Sequence, residues 1–63
     1  MKTLAYRWFT GRDCVGIVLC EDEITKEKKA YIGGVVGLNE ADDIEYIKDW
    51  GTSFPVNVAE KLF

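Results

Sequence analysis

Histidine is absent from this chain of 63 residues, so no side chain titrates near neutral pH unless its surroundings shift it. The commonest acid–base group of enzymes is therefore missing. Serine occurs once, as Ser53, with no base identifiable beside it. Cysteine occurs twice, as Cys14 and Cys20. Two thiols cannot close a four-ligand zinc site, their spacing is not C-x-x-C, and a disulfide framework belongs to secreted chains. Two small structural thiols are the simpler reading. Eight Lys and Arg stand against eleven Asp and Glu, a formal net charge of −3. That sign argues against nucleic-acid binding, and the size is too mild for an acidic tail or a DNA mimic. No apolar run reaches the roughly 18 residues of a membrane span. The opening "MKTLAYRWF" is interrupted by Arg7 and is followed by no small-residue cleavage site. The expectation is a cytoplasmic protein with no cofactor, no metal, no nucleic-acid partner and no membrane partner.

What is present is a globular composition: 48% hydrophobic and 30% charged residues. The length allows one small α+β domain over residues 1–63. A domain of this size buries only about 60% of the surface its unfolded chain exposes. Eight aromatics, three Phe, three Tyr and two Trp, supply much of any core and leave apolar surface for a partner.

The first part of the chain reads as three strands. "TLAYRWF" is aromatic-rich and precedes the turn-like "TGRD"; "CVGIVLCEDE" carries the strongest strand signal; "ITKEK" is a second turn and "KAYIGGVV" a third strand. A loop at residues 10–13 sets Phe9 opposite Cys14, Trp8 opposite Val15, Tyr6 opposite Ile17 and Leu4 opposite Leu19. A loop at residues 24–27 sets Glu23 opposite Lys28, Asp22 opposite Lys29, Cys20 opposite Tyr31 and Leu19 opposite Ile32. Both hairpins then assign the same residues to each face, as a period of two requires. Leu4, Tyr6, Trp8, Val15, Ile17, Leu19, Ile32 and Val36 form the large apolar face, expected to be the core. Ala5, Arg7, Phe9, Cys14, Gly16, Val18, Cys20, Tyr31, Gly33 and Val35 form a smaller, smoother face. The "EDE" and "KEKK" runs allow cross-strand charge pairing at a solvated hairpin tip.

The remainder reads as helical. In "NEADDIEYIKDW", Asn39 is an N-cap, acids fill the first turn and Gly51 is a stop. Ala41, Ile44, Ile47 and Trp50 suggest a core stripe, with Tyr46 off it. A short helix follows in "VNVAEKLF", opened either by Pro55 or by an Asn57–Glu60 capping box. The predicted fold is α+β: a three-stranded antiparallel β-meander followed by two short C-terminal helices, β-β-β-α-α.

Four features invite a functional reading. Gly33, Gly34 and Gly37 precede a helix as phosphate loops do, but match neither G-x-G-x-x-G nor G-x-x-x-x-G-K-S/T. Glu40, Asp42 and Asp43 open that helix and repel phosphate, so a strand-to-helix junction is the better reading. By register Gly34 makes room for a core aromatic and Gly33 for a partner. The acids 40, 42, 43 and 45 lack the D-x-D-x-D-G spacing of a calcium loop and read as a solvated helix start. Arg7, Cys14 and Gly16 make the one reactive-looking group, and a structural cysteine is far commoner.

The fourth feature is the small-residue face. Two short helices are expected to cover one sheet face only, leaving the other for association. Its residues Arg7, Phe9, Gly16, Val18, Tyr31, Gly33 and Val35 are the candidate interface. The expected function is a small non-enzymatic interaction module, a homodimer or small oligomer that binds a protein partner. Free-standing chains of this size commonly serve as regulators, inhibitors or accessory subunits, some of them phage- or mobile-element-encoded. The alternative is a small-ligand binder, in which Tyr31, Phe9 and Trp8 or Trp50 stack on a flat, nucleotide-like compound and Arg7 or Arg12 meets an anion.

Overall fold

The computed structural model describes residues 1–9, 15–34 and 39–63. Elements follow in the order β1 (Lys2–Phe9), β2 (Val15–Glu21), β3 (Lys28–Gly34), α1 (Glu40–Trp50), β4 (Thr52–Phe54) and α2 (Val56–Leu62). The class is α+β, but the sheet has four strands, all antiparallel, in the order β1-β2-β3-β4. The strand missing from the β-β-β-α-α expectation lies inside "GTSFP". Three residues are too few to show a period of two. They are held extended by pairing with β3 and by Pro55, which disfavours a helical conformation at Phe54.

The two helices lie on opposite faces of the sheet. Residues directly opposite in the ladder share a face, so Ala5, Ile17, Leu19, Ala30, Ile32 and Phe54 look one way. Ala59 of α2 packs there, with Val56 and Leu62 beside it. Gly16, Val18, Cys20, Tyr31 and Gly33 look the other way, and Ile47 of α1 sits over Gly33. Both helices lie against β2 and β3. In consequence five successive residues of β2, Gly16 to Cys20, are buried on alternating sides. β4 is the seam where the chain passes from the α1 face to the α2 face.

The expectation of one covered face is therefore corrected. Helical rotation explains part of it. Steps of three residues turn about 300°, so Ala41 and Trp50 end on opposite sides of a helix. The buried line of α1 runs through Asp43, Ile44 and Ile47 instead; Ala41 is exposed and Trp50 is 77% exposed. Tyr46 does lie off the packed side. Asn39 caps α1 as expected, its Oδ1 accepting from the N–H of Ala41 at 2.9 Å and of Asp42 at 3.3 Å. Pro55, not an Asn57–Glu60 box, opens α2, and its carbonyl accepts from the Ala59 N–H at 3.0 Å.

Register also differs from expectation. Between β2 and β3 the shift is two residues, so the faces survive: Glu21 is opposite Lys28 and Leu19 opposite Ala30. The cause is a longer turn over residues 22–27. Asp22 Oδ1 accepts from the N–H groups of Ile24 and Thr25 at 2.8 and 2.9 Å, and Lys26 takes a left-handed φ of 64°. Between β1 and β2 the shift is one residue, which exchanges faces. Phe9 is opposite Val15, Trp8 opposite Gly16 and Tyr6 opposite Val18; a bulge between Thr3 and Ala5 then restores Thr3 opposite Cys20. Leu4, Tyr6 and Trp8 thus leave the expected core, and small Ala5 packs against the α2 cluster.

Candidate interaction surface at the β1 edge

β1 is an outer strand, and among the described residues no strand pairs with its far side. An edge of this kind presents a row of backbone N–H and C=O groups toward solvent. No residue of β1 is buried, in contrast to the buried run in β2. Leu4 is 40% and Tyr6 44% exposed, and the exposed Phe9 stands at the strand's end. The rings of Tyr6 and Trp8 have centroids 5.4 Å apart. They lie on the α1 side of the sheet, beyond the part that α1 covers.

Arg7 and Phe9 lie on the opposite, α2 side. The Arg7 guanidinium donates to the carbonyl oxygen of Leu62, one of the terminal carbonyls that α2 cannot satisfy internally. It also sits 5.5 Å from the centre of the Phe9 ring. Arg7 thus fastens α2 to β1. On the other side Lys48 of α1 reaches β1, donating to the Met1 carbonyl at 3.0 Å, to Thr3 Oγ1 at 3.1 Å and to Glu45 at 3.0 Å. Each helix is tied to the edge strand by one long cationic side chain.

The candidate interface residues are consequently divided. Gly16, Val18, Tyr31 and Gly33 share the face that α1 covers, and Val18 is fully buried. Gly33 makes room for α1: a Cβ there would lie 3.3 Å from Ile47 Cγ1. Gly34 makes room for no core aromatic, since a Cβ built there meets none of the described residues within 4 Å. Arg7 and Phe9 are on the other face, and Val35 lies outside the described residues, as do Arg12, Cys14, Val36 and Gly37. Of the group Arg7, Cys14 and Gly16, the two described members, Arg7 and Gly16, lie on opposite faces. The aromatic set for a flat ligand is split too, with Trp8 and Tyr31 on one face, Phe9 on the other and Trp50 on the helix.

Cys20 is fully buried, its Sγ 3.4 Å from the Lys29 carbonyl oxygen and 3.9 Å from Met1 Sδ. Burial pushes its thiol above the usual range, against the opposing pull of Lys48, the N-terminus and Lys29. Among the described residues no three Cys, Asp or Glu side chains are grouped to hold a metal ion. No helix among them is long and apolar enough to cross a membrane. The open β1 edge is the surface that sequence reasoning missed. Its signal was the continuous apolar run "VGIVLC", which suits a strand buried on both faces, and so implies that apolar residues of the neighbouring strand are the ones left outside.

Comparison with protein-family models, with curated proteins and with solved structures finds no match to this chain.

Proposed function

We propose that the protein is a small non-enzymatic interaction module that acts by protein–protein contact and self-association, with the β1 edge as its contact strand. The observation that carries this reading is an eight-residue outer strand bearing exposed Leu4, Tyr6 and Phe9, beside a sheet whose two faces are taken up by helices. Adding a strand to such an edge uses backbone hydrogen bonds for affinity and alternate side chains for specificity. Lys2 and the bulge at Leu4 guard the start of β1, which leaves residues 5–9 as the pairing segment. A second copy pairing antiparallel through this segment extends the sheet across a two-fold axis.

Sedimentation velocity across the micromolar range tests the reading. The expected result is a dimer that dissociates on dilution. Tyr6→Asp, at an exposed position, shifts it to monomer while the thermal transition of the folded chain persists. A chain that stays monomeric at every concentration, or a dimer indifferent to Tyr6→Asp and to Leu4→Asp, overturns it.

A further inference from the structure

α1 turns one face to the sheet and leaves the other without a partner among the described residues. On the free face Asp42, Tyr46, Asp49 and Trp50 follow the i, i+4, i+7, i+8 spacing of one helical stripe, and all four are exposed. Trp50 is 77% and Tyr46 54% exposed, one turn apart. Neither ring contributes to the cores beneath the helices.

The exposed charge on α1 itself is of one sign. Glu40, Asp42, Glu45 and Asp49 are exposed. Lys48 is the single basic residue of α1, and its side chain is only 10% exposed because it reaches inward to Thr3 and the Met1 carbonyl. It neutralises Glu45 and leaves Asp42 and Asp49 beside the rings without an ion pair among the described residues. The one basic side chain of α1 is thus directed away from the exposed aromatics of the helix, and charge complementarity calls for a cation from a partner.

We propose that the exposed face of α1 binds an arginine-rich basic segment of a partner protein. Guanidinium groups stack on Trp50 and Tyr46 and pair with the carboxylates of Asp42 and Asp49. Arginine suits this better than lysine, because its planar fork both stacks on rings and pairs bidentately with carboxylates. The surface is separate from the β1 edge, so it stands whether or not the chain self-associates.

The test is titration of the intact protein with a short arginine-rich peptide, followed by tryptophan fluorescence and calorimetry. A lysine-rich peptide of equal length and charge serves as the control. The expected result is saturable binding that weakens with added salt and is tighter for the arginine peptide. Trp50→Ala and Tyr46→Ala each weaken it roughly tenfold, the scale of a desolvated cation–π contact. Asp42→Asn with Asp49→Asn weakens it further. Tyr6→Asp leaves it unchanged, which separates this surface from the proposed pairing edge. Absence of binding overturns the proposal. So does equal binding of both peptides that is insensitive to Trp50→Ala and Tyr46→Ala, which is unspecific attraction to an acidic protein. A concentration-dependent dimer broken by Trp50→Ala, with no peptide bound, assigns the face to a second copy and also overturns it.

Discussion

Three glycines, Gly33 and Gly34 in β3 and Gly51 at the end of α1, should respond very differently to one added methyl group. At Gly51 a Cβ would lie 3.0 Å from the Ile32 carbonyl oxygen and 3.2 Å from Ile47 Cγ2, and would press still harder on the Ile47 carbonyl oxygen. Two of these neighbours are backbone atoms, one of which accepts the helix-ending bond from the Gly51 N–H at 2.8 Å. Relief requires opening the last turn of α1 as well as shifting it from β3. Overpacking of this kind costs about 1–3 kcal/mol, and Gly51→Ala belongs at the upper end. At Gly33 the Cβ would meet Ile47 Cγ1 at 3.3 Å, which a small side-chain shift absorbs. The loss there is about 1 kcal/mol, partly offset by the lower entropy of the unfolded chain. At Gly34 a Cβ meets none of the described residues and only the unfolded-state effect is counted, so Gly34→Ala stabilises by about 0.4–1 kcal/mol. A domain of this length carries about 3–9 kcal/mol in all, so Gly51→Ala removes a third or more of it. Urea unfolding followed by circular dichroism reads all three. The expected order of stability is Gly34→Ala, wild type, Gly33→Ala, Gly51→Ala. Tolerance of Gly51→Ala, or equal midpoint shifts for Gly33→Ala and Gly34→Ala, would show that α1 does not lie on the Gly33 face.

Further outcomes follow from the same packing. Val18→Asp places a carboxylate at a fully buried position between β2 and α1 and should abolish the cooperative transition, whereas Tyr6→Asp leaves it intact; equal melting curves would deny the burial. Asp22 is held below the usual carboxylate range chiefly by the backbone N–H of Thr25, then that of Ile24. Its contribution is therefore present above the unfolded carboxylate pKa and is lost as pH falls through the folded value. Asp22→Ala should flatten that acid-side slope, and an unchanged slope counts against the turn geometry. Burial raises the Cys20 thiol, so the folded state holds this proton more tightly than the unfolded chain does. Stability from this group is complete below about pH 8.5 and declines as pH rises through the folded value. In a Cys14→Ser background, Cys20 should react with a thiol reagent only on unfolding, and rapid native labelling would refute its burial.

Much of the local structure was legible. The strand character of β1, β2 and β3, the Asn39 cap and Gly51 as a helix stop all rest on short-range chemistry that a sequence displays directly, whereas the choice of Pro55 over an Asn57–Glu60 box as the start of α2 came from the structure. The small-residue character shared by Gly16, Val18, Cys20 and Gly33 was visible as well, since the two-residue shift between β2 and β3 preserved their face. β4 was not legible, because three residues carry no periodicity and take their conformation from the β3 edge.

The placement of the candidate surface depended on two things that no local window contains. One is the single-residue register shift of β1 against β2, undone only at the bulge near Leu4, which exchanges Tyr6 and Trp8 with Ala5 and Arg7 across the sheet. The other is the placement of the helices: α1 lies over the small-residue face, which turns Val18 and Gly33 from prospective interface into interior, and the chain then crosses along β4 to lay α2 on the opposite face. Sequence by itself determined the strand or helix character of β1, β2, β3, α1 and α2, because hydrogen-bonding propensity, capping and periodicity act over a few residues. Tertiary structure alone decided which apolar residues are inside, because burial depends on what the rest of the chain lays over each face.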